Sequence, residues 1–345
     1  MAILDKNTDY FGLDIGTTGI RMVQLKAGAG APALVAYGAM AAPADLISSD
    51  SEIDHDRIAA VIRQLKDETQ IKTNEVVTAI PSAHAFTTVI TTPKLSESEL
   101  AKSIQLQADQ YIPMPVSEAK LDWHIIDPNK SETEMSVLLV AAPKNVVDKY
   151  LSVVEKAGLN LHALEINALA TGRSVISVTE VPVAVVDFGN TSTEITVIWQ
   201  RVPHLVRSVN IGGATLVRSV AQNLNIDEEQ ASQFLQKFGV TQTKLEGQVL
   251  KAVKGSLDSV MSEISKSIKF FTSQNAGVAL EKVVLTGGPT ALPEMPSYVA
   301  NTLNLPVEIA NPWMNVSYPA AQQDMLMGKS LQFAVAVGLA QRSFV

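Results

Sequence analysis

The sequence predicts a two-lobed α/β protein, and three observations lead to this fold class. Strand-like segments alternate with helix-period segments along the chain, which is typical of α/β proteins. A β-hairpin pattern that opens with Asp-x-Gly occurs twice, in the first and in the second half of the sequence. The length of 345 residues exceeds what one hydrophobic core usually organises, so at least two domains are expected.

The amino-acid composition is typical of a globular protein and excludes several classes of function. Hydrophobic residues make up 46% of the chain and the formal net charge is −8. Nucleic acid is therefore not expected as a partner, because its phosphates are neutralised by Lys and Arg. No apolar run approaches the roughly 20 residues of a membrane span. Without cysteine there are no disulfides or thiolate metal sites, and residues 1–7 lack a secretory pattern, so we expect a cytoplasmic location.

The first lobe is predicted to begin with three strands, followed by one helix and a fourth strand. The helix shows apolar residues at i, i+3, i+4 and i+7 spacing, which indicates one buried face. Proline ends the fourth strand. In chain order these elements are Tyr10–Gly16, Gly19–Lys26, Leu34–Met40, Asp56–Thr69 and Val76–Pro81.

A unit with its own order of strands and helices follows. Ser96 and Glu99 form a capping-box pattern that begins a helix, and we expect this helix to continue through Tyr111 before Pro113 ends it. The remaining elements are predicted at Leu121–Ile126, Ser136–Ala142 and Asn145–Ala157. This content is sufficient for an inserted subdomain.

The second lobe again alternates strands with helices. Strands are predicted at Val183–Gly189, Thr193–Gln200, Leu205–Val209, Lys282–Thr286 and Pro306–Ala310. Helices are predicted at Ala214–Leu224, Asp227–Phe238, Glu246–Gln274, after Pro293 and at Lys329–Arg342. The longest helix has apolar residues spaced by four and three. At this length we expect it to pack against a sheet rather than to form a coiled coil.

The duplicated hairpin has the chemistry of a phosphate site. Each copy joins an apolar strand to Asp-x-Gly and two short polar residues, and an alternating strand follows. A tight turn exposes backbone N–H groups, glycine leaves room for phosphate, and the carboxylate offers hard oxygen to Mg²⁺. A single Asp-Gly turn is more often an ordinary connection between two hairpin strands, but two matching copies favour phosphate binding. The residues concerned are Asp14, Gly16, Thr17 and Thr18 in one copy and Asp187, Gly189, Asn190 and Thr191 in the other.

The remaining candidate motifs are two Gly-Gly pairs and one segment that only partly matches a P-loop. Gly212-Gly213 and Gly287-Gly288 each follow a strand-like segment, where a ribose or a flat ring could approach the backbone. Each pair alone is more often an ordinary strand–helix connection, and only their order along the chain adds weight. Gly328–Ser330 imitates the end of a P-loop, but Gln323 stands where that motif requires glycine and no buried strand precedes it.

This order of motifs resembles the actin–Hsp70–sugar kinase superfamily. Within it, the chain is similar to the PilM family of type IV pilus assembly proteins, which is related to the cell-division protein FtsA. The segments that carry the likeness are Gly12–Thr18, Tyr111–Pro115, Leu121–Trp123, Glu263–Phe271, Val283–Gly288, Asn311–Pro312 and Phe333–Ala340.

The resemblance implies an actin-like, two-lobed α/β fold with an inserted FtsA-type 1C subdomain. The core of lobe I would lie at 1–83, continued by 160–182 and 318–345. The inserted subdomain would occupy 84–159. Lobe II would occupy 183–317, with its 2B part near 222–281.

The resemblance also implies an ATP site with Mg²⁺. The two hairpins would hold the phosphates, Asp14 and Asp187 would hold the metal directly or through water, and the nucleoside would contact Gly212, Gly213, Gly287 and Gly288. Glu165 matches the connecting segment in which a carboxylate could orient water. Relatives carry charged residues where this chain has Ser232 and Leu235, so ATP binding is expected while slow hydrolysis is left open.

By resemblance, the function is that of a scaffold on the cytoplasmic side of the inner membrane. It would bind the N-terminal peptide of a PilN-like membrane protein with residues 84–159 and the first lobe, reach the membrane only through partners, and be able to form homo-oligomers. Nucleotide state would modulate partner binding. The alternatives are an FtsA-like filament-forming protein and a small-molecule kinase. The first lacks its usual terminal amphipathic helix here, and the second lacks a candidate base.

Overall fold

The computed structural model of the protein describes residues 9–42, 49–176, 181–200 and 202–344. The N-terminal pattern considered above, at residues 1–7, lies outside the described residues. By its contacts the chain forms two compact units. Among the described residues, unit 1 comprises 9–173, 202–206 and 335–344, and unit 2 comprises 174–200 and 207–334.

The described part of the chain contains thirteen strands and ten α-helices. The strands are β1 Phe11–Gly16, β2 Gly19–Lys26, β3 Ala33–Met40, β4 Glu75–Ile80, β5 Phe86–Pro93, β6 Ala119–Asp127, β7 Glu134–Pro143, β8 Asn160–Ile166, β9 Val183–Phe188, β10 Thr193–Trp199, β11 Val202–Val209, β12 Lys282–Thr286 and β13 Val307–Ile309. The helices are α1 Glu52–Thr69, α2 Glu97–Gln107, α3 Lys144–Lys156, α4 Asn167–Val175, α5 Gly213–Leu224, α6 Glu228–Phe238, α7 Gln248–Gln274, α8 Met295–Leu303, α9 Gln323–Gly328 and α10 Ser330–Ala340.

The main sheet of unit 1 has the strand order β3-β2-β1-β4-β8 and is covered on both faces. β1 pairs antiparallel with β2 and parallel with β4, and β4 pairs parallel with β8. One face packs Phe11 and Leu13 against α1 and α3, while the other packs Tyr10 and Ala79 against α4 and α10. Burial of both faces explains why successive residues of β1 are buried instead of alternating with exposed ones.

A small antiparallel sheet in unit 1, with the order β5-β7-β6, forms a module around α2. Leu100 and Ile104 of α2 share a core with Val137 and Leu139 of β7. The predicted capping box is confirmed, since the Glu99 N–H donates to the Ser96 hydroxyl and the Ser96 N–H donates to the Glu99 carboxylate. The prediction that this helix runs through Tyr111 is wrong. It ends at Gln107, because the chain tightens into a 3₁₀ turn at Ala108–Gln110.

In unit 2 the strands β10, β9, β12 and β13 lie side by side in that order in one sheet. β9 pairs antiparallel with β10 and parallel with β12, which also pairs parallel with β13. The long helix α7 packs against β10 and α5, as expected for a helix buried against a sheet. Its predicted start at Glu246 is wrong by two residues, because Leu245, Glu246 and Gly247 all have positive φ.

Three further observations concern β8, the residues around Gly328 and the apolarity of the helices. The strand β8, Asn160–Ile166, was not predicted from the sequence. The exclusion of a P-loop is confirmed, since Gly328 ends one helix and Ser330 begins the next. Among the described residues, no helix combines the length and apolarity needed to cross a membrane.

Candidate functional site

The first Asp-x-Gly hairpin joins β1 to β2 in unit 1. Gly16 pairs with Gly19, so Thr17 and Thr18 form a two-residue turn. In the described part of the chain, the N–H groups of these two threonines have no hydrogen-bond acceptor. A turn with two free N–H groups offers an anion the donors that the sequence predicted.

Arg21 lies across this turn and was not singled out by the sequence. Its Nη1 donates to Asp14 Oδ2 at 3.3 Å and to the Gly19 carbonyl at 3.1 Å, and its Nη2 donates to Thr18 Oγ1 at 3.0 Å. A β-carbon placed on Gly16 would come within 2.9 Å of Arg21 Nη1. A guanidinium group held against two free N–H groups makes the turn strongly attractive to phosphate.

Asp14 is almost completely buried beside this arginine. Its side chain is 11% exposed and that of Arg21 is 12% exposed. Burial raises the pKa of Asp14 above its ordinary value, and the charge and hydrogen bond of Arg21 offset only part of this rise. Burial thus favours the neutral form of the Asp14 side chain, and Arg21 is the partner that supports its charged form.

The second hairpin joins β9 to β10 in unit 2. Asp187 is the next-to-last residue of β9 and lies opposite Glu194 of β10. The Gly189 N–H donates to the Ser192 carbonyl at 2.9 Å and closes the turn. The N–H groups of Asn190 and Thr191 have no acceptor within the described ranges, so this turn also presents free donors.

Unit 2 brings the two Gly-Gly pairs to this hairpin. The Gly213 N–H donates to the Gly189 carbonyl at 3.0 Å, and the Ala214 N–H donates to the Asn190 carbonyl at 2.9 Å. A β-carbon on Gly212 would lie 2.5 Å from the Asn190 oxygen, and one on Gly213 would lie 3.3 Å from Pro289 Cγ. The structure therefore gathers three segments that are far apart in sequence, and the start of α5 is held by the hairpin itself.

Gly287 is required by its backbone and by its neighbours. Its φ of 86° is a conformation that L-residues rarely adopt. A β-carbon there would also meet the Phe188 carbonyl and would lie 2.5 Å from Asp187 Oδ1. Gly288 has open space at the same position. The loop after β12 thus lies against the Asp187 carboxylate near the end of β9.

Glu165 lies near the end of β8 and is bound by two arginines. Arg173 Nη1 and Nη2 donate to its two carboxylate oxygens at 2.9 and 3.0 Å, and Arg342 donates to Oε2. The Glu165 side chain is only 3% exposed. Both oxygens are engaged in charge-assisted hydrogen bonds, so this geometry favours a structural role over the predicted orientation of water. The two arginines were not anticipated from the sequence.

The helix in which relatives carry charged residues is an ordinary amphipathic helix here. Leu235 of α6 is buried and Ser232 is half-buried. The Lys237 ammonium lies 5.4 Å from the centre of the Phe238 ring. Leu235 therefore serves packing within unit 2. In the described residues, no three His, Asp or Glu side chains form a group that could hold a metal ion.

Comparison with known proteins identifies the family. The model of the family described as "Type IV pilus assembly protein PilM" matches residues 12–344. The chain belongs to the PilM family. This match covers both hairpins, both Gly-Gly pairs and the small module around α2.

Solved structures agree with this PilM family assignment. The chain is similar to a structure of the "PilM-PilN type IV pilus biogenesis complex", with 25% identity, a TM-score of 0.85, and coverage of 98% of this chain and 99% of that chain. It also shares its fold with MreB 5 of Spiroplasma citri bound to AMPPNP, an ATP analogue, with 12% identity, a TM-score of 0.55, and coverage of 96% and 95%. The predicted actin-like α/β fold is confirmed.

A curated relative supports the predicted link to FtsA. The cell division protein FtsA of Bacillus subtilis is 21% identical over an alignment of 359 positions, which covers 90% of this chain and 80% of the relative. This likeness is more distant than the likeness to the PilM–PilN complex. The FtsA-like alternative is therefore not favoured for this member of the PilM family.

Proposed function

We propose that this chain is a scaffold of type IV pilus assembly that binds the N-terminal peptide of a PilN-like membrane protein. The match of the PilM family model to residues 12–344 carries this proposal, and the likeness to a PilM–PilN complex supports it. The scaffold would act at the inner face of the cytoplasmic membrane and reach the bilayer through its partner.

The small module within residues 84–159 is the part we propose for peptide recognition. It has its own sheet β5-β7-β6 and its own core with α2. Its helix exposes Leu106, whose side chain is 83% accessible although it is apolar. Extended or helical peptides bind to such small modules through apolar contacts and strand edges.

A titration with a synthetic N-terminal peptide of PilN from the same organism tests the scaffold. We expect saturable binding to the full chain and none with a scrambled peptide. Leu106→Asp should weaken binding, whereas Ile53→Asp, at a 65% exposed site on α1, should not. Unchanged binding by Leu106→Asp would show that Leu106 of α2 lies outside the contact surface. No binding of the native peptide would overturn the scaffold itself.

We propose ATP with Mg²⁺ as the ligand of the two hairpins. The residues fit this group: each turn has two free N–H groups, Arg21 adds a guanidinium group, and Asp14 is a buried carboxylate. Mg²⁺ in nucleotide sites is commonly held by one or two carboxylates together with phosphate oxygens, and Asp14 and Asp187 are each proposed as a carboxylate of this kind. The metal would neutralise phosphate charge. Gly288, which has open space where a β-carbon would stand, would let the nucleoside approach the backbone.

Fluorescent ATP-analogue binding with Asp14→Asn and Asp187→Asn tests this site. Each substitution should weaken Mg²⁺-dependent binding about tenfold or more, since each removes a charged ligand of the metal. Glu308→Gln is a matched acidic control, because its carboxylate binds Lys282 on the surface of unit 2. Unchanged affinity for the ATP analogue in both hairpin variants would show that these two aspartates do not contribute to the nucleotide site.

Nucleotide binding, rather than rapid hydrolysis, is the activity that the residues support. Glu165 is the only carboxylate proposed for orienting water, and two arginines occupy it. We propose that bound nucleotide modulates peptide affinity. The peptide titration, repeated with and without MgATP, measures this effect, and equal affinities would leave a scaffold without a switch.

A further inference from the structure

We propose that Arg21 competes with a divalent cation for the carboxylate of Asp14, so that the metal binds well only together with a polyphosphate that engages Arg21. This inference deepens the proposed nucleotide site and rests on it. It assigns a regulatory role to an arginine that the phosphate-hairpin pattern did not single out.

The register of the hairpin creates the competition. Because Gly16 pairs with Gly19, Asp14 lies directly opposite Arg21 on the neighbouring strand. Directly opposite residues of an antiparallel pair project to the same face of the sheet. Arg21 Nη1 reaches Asp14 Oδ2 at 3.3 Å, on the carboxylate proposed to hold the metal.

Poor hydration makes the competition strong. Both side chains are at least 88% buried, with relative exposures of 12% and 11%, so water screens their charges weakly. A divalent cation on the Asp14 carboxylate would lie a few ångströms from the guanidinium charge and would be repelled by it. The metal alone should therefore bind poorly.

The same arginine has reason to turn towards phosphate. Its Nε is buried and has no hydrogen-bond partner among the described residues, and its contact with Asp14 is long for a charge-assisted bond. Its second nitrogen already lies on Thr18, within the turn that carries the free N–H groups. A polyphosphate bound to that turn would offer Arg21 several charged acceptors, and the Asp14 carboxylate would be released to the metal.

Manganese binding without nucleotide tests the competition. Mn²⁺ is titrated into the full chain and the free ion is followed by its paramagnetic resonance signal. We expect Arg21→Gln to bind Mn²⁺ about tenfold more tightly than the unmodified chain, because one neighbouring positive charge is removed. Arg21→Lys keeps the charge and should bind Mn²⁺ as weakly as the unmodified chain. The double variant Arg21→Gln with Asp14→Asn should lose the gain.

The outcomes separate this inference from the nucleotide site itself. Equal Mn²⁺ affinity in the unmodified chain and in Arg21→Gln, or a gain that persists in the double variant, would overturn the competition. ATP binding by the unmodified chain is measured in parallel, and its failure would count against the proposed nucleotide site instead. Thermal melting checks each variant for folding. If Arg21→Gln does not fold, Arg21→Met, which keeps the length and loses the charge, takes its place in the same comparison.

Discussion

Arg173 binds both carboxylate oxygens of Glu165, with N–O distances of 2.9 and 3.0 Å, in a site where the glutamate side chain is only 3% exposed. Arg342 adds a third charge-assisted contact, and Arg173 also donates to the Gly338 carbonyl at 2.5 Å. One buried carboxylate thus joins β8 to α4 and to the residues that follow α10.

Glu165→Gln should destabilise the protein strongly. The amide keeps the shape of the side chain but leaves two buried guanidinium groups without a counter-charge, and breaking a buried pair in this way costs about 3 kcal/mol or more. Urea unfolding measures the effect. The control is Glu263→Gln, whose carboxylate binds Lys266 on the surface and should contribute about 1 kcal/mol or less. Normal stability of Glu165→Gln combined with a loss of ATP hydrolysis would instead favour the water-orienting role.

Two helical glycines should respond in opposite ways to alanine. A β-carbon on Gly338 of α10 would overlap the backbone carbonyl of Ala170, so Gly338→Ala should cost about 3 kcal/mol, at the upper end of overpacking effects. Gly255 of α7 has nothing within 4 Å of the same position, and Gly255→Ala should stabilise by about 0.5–1 kcal/mol through helix propensity. Thermal melting of the two variants gives the comparison, and a shift in the same direction would contradict the packing account.

Stability at alkaline pH should depend on Tyr150. Burial, and then the negative charge of Asp14, raise the pKa of the Tyr150 hydroxyl. In the unfolded chain a tyrosine releases its proton near pH 10, whereas the native protein keeps it. The native state therefore binds more protons, and stability is lost as pH rises above about 10, by up to about 1.4 kcal/mol per pH unit for this residue.

Tyr150→Phe removes this titration and should reduce the alkaline loss of stability. The measurement is urea unfolding at pH 9 and at pH 11. Tyr318→Phe, at a half-buried position, is the control and should follow the unmodified chain. A steeper alkaline loss in Tyr150→Phe would show that the sign of this linkage is wrong.

Much of the fold could be predicted because local patterns and tertiary structure agree. The strand β12 was predicted with its observed bounds, Lys282–Thr286, from a short apolar run followed by Gly-Gly. The strand β8 was missed because Asn160–Ile166 is half-buried over most of its length and shows neither a continuous apolar run nor strict alternation. Its place in the sheet comes from pairing with β4, which no local pattern reports.

Some contacts of the candidate site residues could be predicted from the sequence and others could not. The turns were predicted from their motifs. Arg21, the partner of Asp14, could also have been predicted, because a two-residue turn at Thr17 and Thr18 places Arg21 opposite Asp14. The arginines that bind Glu165 could not have been predicted from the sequence. Arg342 is 177 positions away in the sequence, and no periodicity connects residues at that separation.

Gly212 and Gly213 are adjacent in the sequence, but the structure gives them different surroundings. A β-carbon on Gly212 would come 2.5 Å from the Asn190 carbonyl oxygen and 2.6 Å from the Gly189 carbonyl oxygen, whereas the nearest atom to one on Gly213 would be Pro289 Cγ at 3.3 Å. Gly212→Ala should push the start of α5 away from the second hairpin and disturb the bonds that Gly213 and Ala214 donate to it. We expect about tenfold weaker ATP-analogue binding, comparable to the loss of one or two positioning hydrogen bonds. The affinity of Gly213→Ala for the ATP analogue should stay within about twofold of the unmodified chain, because a proline ring can give way by a few tenths of an ångström.

Equal losses of affinity in the two variants would mean that both glycines contact the nucleotide directly. Unchanged affinity in both would mean that the hairpin of unit 2 tolerates displacement of α5.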